Sequence, residues 1–291
     1  MCLDISFRID ITEDSLFDYL PHLKIDPQIN LKFDNNAHIQ AHARPHTRII
    51  YNNTENIPYM TLMRWGVLTK FMLKSPLNFF KYGNNMYNAR AENIFNPKST
   101  WFKIKQNRCL IVTDGIYEHR KIIGWKNKAP YFIRLTSKKP MLIPALYNYL
   151  DVTPDDIASI KATGDTKFLE AINKIINIET GELLGTHAMI TTAANEKMQM
   201  IHNDGDNKYR MPLFMEPEMA VKWIDPSLTD EEMKSMLAFQ IPSESLSETP
   251  VYTIRSQNPR PDGLLKHHPY KWPNLPPLGN DAPLEQQSTL F

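Results

Sequence analysis

Cysteine is nearly absent from this chain. Two of 291 residues, Cys2 and Cys109, are too few for a disulfide framework and fit a reducing compartment. No charge of one sign dominates: 33 Lys and Arg face 32 Asp and Glu, a net charge of +1, so any surface for nucleic acid must be local. No apolar run reaches the length of a membrane span. Asp4, Arg8, Asp10, Glu13 and Asp14 interrupt the start as no signal peptide would be interrupted. The expected location is therefore cytoplasmic. CxxC, HExxH, GxGxxG and Walker-type loops are all missing, so spacing implies no metal, no nucleotide and no other cofactor.

What is present is a long strand-like stretch. Residues 48–51, 59–65, 109–112, 131–133 and 141–146 are short β-branched or aromatic runs bounded by Asn, Pro and Gly. Thr12 and the following Glu13 and Asp14 predict a capped first helix. The spacing of Leu169, Ile172, Ile175 and Ile176 predicts a helix over 166–176. A strand over 187–192, helices over 216–223 and after the Thr229-x-x-Glu232 capping box, and a last strand at 251–254 complete the pattern. The fold class is α+β: one domain over 2–256, with a mostly antiparallel, barrel-like sheet flanked by helices. Beyond 257 seven prolines fall within 25 residues, and that segment, 257–291, is expected to be a flexible, extended tail. A monomer is the default expectation.

Chemistry points first to Cys2. A small side chain at position 2 licenses removal of Met1, leaving a cysteine with both a free α-amine and a thiol. These titrate near ~8 and ~8.5, so each is partly nucleophilic at neutral pH. Together they convert an aldehyde to a thiazolidine, or act as nucleophile and base of an amidohydrolase. An ordinary residue in a frayed start is the plain alternative. Three further segments carry reactive types. Asn88, Arg90 and Glu92 would share one strand face; Glu118 follows a buried strand and turn; His202 lies in a loop before Arg210-Met211-Pro212. Each alone is compatible with a polar edge strand, a simple hairpin or a solvated loop.

In order, Met1-Cys2, Asn-Ala-Arg-x-Glu, Arg-Cys-Leu-Ile-x-x-Asp-Gly-x-Tyr-Glu and Ile-x-Thr-x-Ala-Asn with a following His and Arg-Met-Pro resemble the SRAP family. These are the SOS-response-associated putative peptidases, which crosslink to abasic sites in DNA. Ala43-Arg44-Pro45-His46-Thr47 and Arg64-Trp65-Gly66 extend the resemblance. It implies that Cys2 is the nucleophile that traps the abasic aldehyde as a thiazolidine, and that residues before it are removed autocatalytically. It further implies that Asn88 holds the α-amine or sugar, Glu118 is general acid and base, His202 assists imine formation, and Arg90 clamps the adjacent phosphate. Trp65, Tyr117, Pro45 and Met86 would stack on or wedge against bases of single-stranded or junction DNA, with Arg210 among the DNA contacts. Lys98, Lys103, Lys105, Arg108, Arg120, Lys121, Lys126 and Lys128 would supply a phosphate track or, equally, a solvated face.

The chain departs from the family in four places. Leu3-Asp4 replaces the usual Gly-Arg, residues 205–209 are inserted after His202, His119 replaces a tryptophan, and 151–186 is long. An acid at position 4 is expected to disfavour the lesion phosphate. Gln-Ser-Thr-Leu-Phe at 287–291 is similar to sliding-clamp-binding pentapeptides, with Gln287, Leu290 and Phe291 as the docking residues. Two rival functions stand beside the crosslinker: an N-terminal-nucleophile cysteine hydrolase, and a non-catalytic DNA or clamp adaptor.

Overall fold

The structure is a computed structural model that describes residues 2–7, 13–27, 29, 38–256 and 258–282. Its strands, in chain order, are β1 (Asp4–Ser6), β2 (Lys24–Ile25), β3 (Ile39–Gln40), β4 (His46–Asn52), β5 (Pro58–Trp65), β6 (Asn88–Arg90) and β7 (Arg108–Thr113). There follow β8 (Gly115–Arg120), β9 (Ala129–Leu135), β10 (Met141–Val152), β11 (Glu182–Ala193), β12 (Arg210–Pro212) and β13 (Leu246–Pro250). Antiparallel pairs run β5–β4–β7–β10–β11. β11 then meets β5 in parallel, with Thr186 opposite Arg64 and His187 opposite Trp65. This last pairing closes a five-stranded barrel and removes its free edges. β12 and the parallel β6 add to β11, and β2 adds to β5. A second sheet, ordered β13–β9–β8–β1–β3, packs beside it.

Period-two alternation divides the core in two. In β7, Cys109 and Ile111 join Ile49, Met63, Ile143 and Met189 with Ile5, Ile116 and Ile133 of the second sheet. Leu110 and Val112 face the other way, with Ile50, Leu142 and Ile190, beneath helices that contribute Phe79, Phe168 and Trp223. Both faces are buried, which is why β7 reads as an unbroken apolar run. The helix expected over 166–176 spans Thr166–Asn173, capped by Asp165, and the Thr229–Glu232 capping box opens Asp230–Leu237. Thr12, the expected cap of the first helix, lies outside the described residues. Among the described residues no helix is long and apolar enough to cross a membrane.

Two expectations are corrected. The last strand is Leu246–Pro250, not 251–254, where only Val251 bridges to Pro269. The proline-rich segment, as far as Ala282, is docked rather than free. Trp272 stacks on Tyr252 with ring centroids 5.8 Å apart, and its indole N–H donates to the Val251 carbonyl at 2.9 Å. Arg120, fully buried on β8, donates to the carbonyls of Pro276, Pro277 and Asn280 at 2.8, 2.7 and 2.6 Å. A buried guanidinium needs such acceptors, and carbonyls of a proline-rich segment, lacking competing N–H groups, supply them. Gln287, Leu290 and Phe291 lie outside the described residues.

The expected phosphate track also breaks up. Arg120 is committed to the C-terminal segment, and Arg108 is buried, donating to the Trp223 and Asp225 carbonyls at 2.8 and 2.6 Å. Lys105 pairs with Asp230.

Candidate functional site

Antiparallel pairing of β1 with β8 sets Ile5 opposite Ile116 and so runs the chain start alongside Glu118. Cys2 is 1% exposed and Glu118 4%. From a third segment comes His202, which ends the helix Glu196–Ile201 and is itself 6% exposed. That helix is fixed by Asn195, whose side chain accepts from the Met198 N–H at 3.0 Å and donates to the Ile241 carbonyl at 3.0 Å. One donor atom each from Cys2, Glu118 and His202 lie within 4.8 Å of one another. The sequence separations of 116 and 84 residues carry no spacing signal.

Burial, reinforced by the neighbouring carboxylate of Glu118, which accepts a hydrogen bond from the thiol, holds the Cys2 thiol well above its usual range. The thiol is therefore protonated at neutral pH and needs a base beside it. His202 Nδ1 donates to the Arg210 carbonyl at 2.7 Å, because a carbonyl only accepts. In the neutral imidazole this bond fixes the tautomer that carries its lone pair on Nε2. Oε1 of Glu118 is buried with no hydrogen-bond partner among the described residues.

Glu118 and His202 line one of two cavities that share Asn207. One, of about 570 Å³, is lined by Leu3, Asp4, Glu118, His119, Lys128, His202 and Arg255 among others. The other, of about 220 Å³, is lined by Asn88, Arg90, Trp101, Thr191, Asn207 and Arg210 among others. Parallel pairing with β11, Asn88 opposite Met189, sets Asn88 there. Its amide nitrogen and oxygen are both buried without a partner among the described residues, which leaves them open to a ligand or water. Asn207, from the inserted loop, lines both cavities and accepts from Arg90 Nη2 at 2.7 Å. Asp204 of the same loop pairs with Lys128 at 2.8 Å.

A family model described as SOS response associated peptidase (SRAP) matches residues 21–255. The chain belongs to the SRAP family. It is 28% identical over 176 residues to the abasic site processing protein YoqW of Bacillus subtilis strain 168, covering 60% of this chain and 62% of that one. It is 24% identical over 205 residues to YobE, another abasic site processing protein of that organism, covering 70% and 75%. The abasic site processing protein HMCES of Mus musculus matches at 26% over 167 residues, 56% of this chain and 44% of its own. A solved protein of Bacteroides thetaiotaomicron shares the fold with a TM-score of 0.65 at 23% identity, covering 86% of this chain and 92% of that one.

Within this SRAP chain, several residues are not where the sequence reading expected them to serve. Tyr117 follows the opposite face of β8 from Glu118, packed with Phe132, Val251 and Ile254 and fully buried. Neighbours on a strand face opposite ways, so one ring cannot share the other's cavity. Trp65 is also fully buried, stacked on His187 at 6.2 Å, its N–H donating to the Tyr87 carbonyl at 2.9 Å. Neither ring is placed to stack on a base. Instead Trp65 ties β5 to the residue before Asn88 and positions the amide from behind. Arg44 assists, donating to the Gly66 and Gly83 carbonyls at 2.8 and 2.7 Å with its guanidinium over Tyr87. Gly66, at φ +110°, admits this approach; a Cβ there would lie 2.5 Å from the Arg44 guanidinium. Met86 is buried, and Pro45 half-buried. Arg210 is held by Glu92 in a bidentate pair at 2.6 and 3.1 Å, so it shapes the wall rather than standing open to a phosphate. Glu92 itself leaves the strand for a 3₁₀ turn, Ala91–Asn93, and does not share the Asn88 face.

Sequence reasoning missed Arg255. Asp4 is 2% exposed and accepts from His38 Nε2 at 2.7 Å and from Arg255 at 2.5 and 3.3 Å. Burial alone would raise the Asp4 carboxyl, but these donors outweigh it and hold it below its usual range. The acid is thus neutralised in place, while the half-exposed Arg255 lines the larger cavity.

Proposed function

We propose that this chain captures abasic sites in single-stranded DNA covalently, through a thiazolidine on Cys2. The observation that carries the reading is the convergence of Cys2, Glu118 and His202, two of which line a cavity of about 570 Å³. Abasic site processing proteins among its relatives support it. Because the match to YoqW spans 62% of that protein, the activity comes to this chain as a proposal.

In this reading Glu118 takes the proton of the C1′ hydroxyl of the abasic deoxyribose and delivers it to the ring oxygen, opening the hemiacetal to the aldehyde. The α-amine of Cys2 adds to C1′, and water leaves as the imine forms, with His202 Nε2 shuttling the proton. Glu118 then takes the thiol proton as sulfur adds to the imine carbon, and the proton passes to nitrogen. The sum is aminothiol plus aldehyde giving thiazolidine plus water. The resting thiol is protonated, so a base in contact with it is a requirement of this route. Asn88 would hold the amine or sugar hydroxyl, and Arg90 and Arg255 would meet flanking phosphates from the two cavities.

The same trio would release the α-amine. Attack of the thiol on the Met1 carbonyl gives a thioester and frees the amine, and water then hydrolyses the thioester. A nucleoid-associated location follows from the substrate.

The test mixes Met1-processed protein with an oligonucleotide bearing one abasic site and runs a denaturing gel. A shifted band absent for Cys2→Ala supports the proposal. Its absence with Met1 removed, verified by mass, refutes it. A thiol hydrolase whose base is not the α-amine would retain peptide cleavage when an extra residue precedes Cys2, whereas the crosslink would be lost.

A further inference from the structure

We propose that Cys2, Glu118 and His202 form a binding site for a borderline divalent cation of the Zn²⁺ class, whose occupancy shuts the site to an aldehyde. The regulatory half of this inference rests on the proposed function; the binding half does not.

Three donors of three kinds, a thiol sulfur, a carboxylate oxygen and an imidazole nitrogen, lie within 4.8 Å of one another and are all buried. Zn²⁺ takes sulfur at about 2.3 Å and nitrogen or oxygen at about 2.0–2.2 Å, so small side-chain shifts bring the three into one tetrahedral shell. Thiolate and imidazole favour Zn²⁺ or Co²⁺ over Mg²⁺ or Ca²⁺. The supporting geometry is in place before any ion arrives. His202 donates Nδ1–H to the Arg210 carbonyl at 2.7 Å, the outer-sphere bond that orients an imidazole ligand and leaves Nε2 for the metal. Glu118 Oε1 is buried and has no hydrogen-bond partner among the described residues. One carboxylate and one thiolate balance the two charges of the ion, so the filled cluster is neutral in a buried place.

Removal of Met1 adds a fourth donor. The α-amine and the thiol of one cysteine close a five-membered chelate ring on a metal. Binding follows Cys2–SH + Zn²⁺ → Cys2–S–Zn⁺ + H⁺, with the proton passing to solvent. Amine and sulfur are also the two atoms that the thiazolidine consumes, so cation and aldehyde exclude each other.

The experiment titrates metal-free, Met1-processed protein with Co²⁺ and then Zn²⁺. The expected result is one Co²⁺ per chain, with a thiolate charge-transfer band and the intense visible bands of a four-coordinate site, both erased by Zn²⁺. Cys2→Ser abolishes the charge-transfer band and Cys109→Ser keeps it. His202→Ala and Glu118→Gln weaken Zn²⁺ binding by about tenfold or more. Circular dichroism establishes that each variant is folded. Overturning results are no thiolate band in the folded wild type, or a band that survives Cys2→Ser. In the second arm, one equivalent of Zn²⁺ suppresses crosslinking to abasic DNA and a chelator restores it; crosslinking indifferent to bound Zn²⁺ overturns the regulatory half. Metal-free protein that binds Co²⁺ but forms no crosslink refutes the proposed function and leaves the cation site standing.

Discussion

Asp4 and Arg255, 251 positions apart, meet at 2.5 Å, and the buried acid holds the guanidinium at the rim of the larger cavity. The acid that sequence reading set against a phosphate is instead the tether of a cation. Arg255→Gln is expected to weaken crosslinking and to lower the slope of log affinity against log salt by about 1, as loss of one phosphate contact does. Asp4→Asn leaves the cation but loosens it and is expected to cost about 1–3 kcal/mol of stability. Crosslinking yield across a salt series and denaturant unfolding check the two.

Asn88 separates stability from function. Its amide has no partner among the described residues, so Asn88→Leu, of similar volume, is expected to leave the melting temperature unchanged or raised. Crosslinking should fall sharply all the same. Glu118→Gln, which keeps shape and loses the proton carrier, should slow crosslinking by roughly 10²–10⁴-fold. Single-turnover gels read both rates.

Acid stability should be set by histidines. Burial lowers His187 to about 3 and His119 to about 4. Between those values and an unfolded value near ~6.5, the unfolded chain binds protons that the folded chain refuses, so stability falls as pH drops below about 6.5. Each should cost about 2 kcal/mol by pH 5. Asp4, lowered in the fold, gives stability above its unfolded value near ~3.9 and loses it only further down. Denaturant unfolding at pH 7, 6 and 5 should show the decline, and His187→Gln should flatten it.

How far the sequence reached depended on what kind of signal each residue carried. β-branched runs named most barrel strands, because both faces of β7 and the neighbouring strands are buried and little else could occupy them. The trio came from ordered motifs, since Cys2, Glu118 and His202 meet only through β1–β8 pairing and a helix end. Residue type could not say which way a ring faces: Tyr117 beside Glu118 and Trp65 beside Gly66 are aromatic for the core's sake. Proline content was read as freedom, yet Pro276 and Pro277 offer the acceptors that buried Arg120 requires. Arg255 had no motif around it, and only the fold brings it to Asp4.

The inserted loop offers a contained test. Arg90 must leave Asn207 to reach a phosphate, and that exposed hydrogen bond is worth ~0.5–1.5 kcal/mol. Asn207→Ala is therefore expected to tighten binding to DNA by up to about tenfold, without altering the chemical step at saturating DNA. Fluorescence anisotropy with an intact oligonucleotide, beside single-turnover rates on the abasic one, checks this.

Arg120 changes what counts as the indivisible piece of this protein. A chain cut after residue 255, where the family match stops, would keep the guanidinium inside β8 and lose the Pro276, Pro277 and Asn280 carbonyls together with Asp281. Asp281 also accepts from Asn203, the residue next to His202, so the cut reaches the reactive trio through one hydrogen bond. The shortest fragment that retains these hydrogen bonds therefore ends at Asp281, 26 residues past the border that family likeness draws.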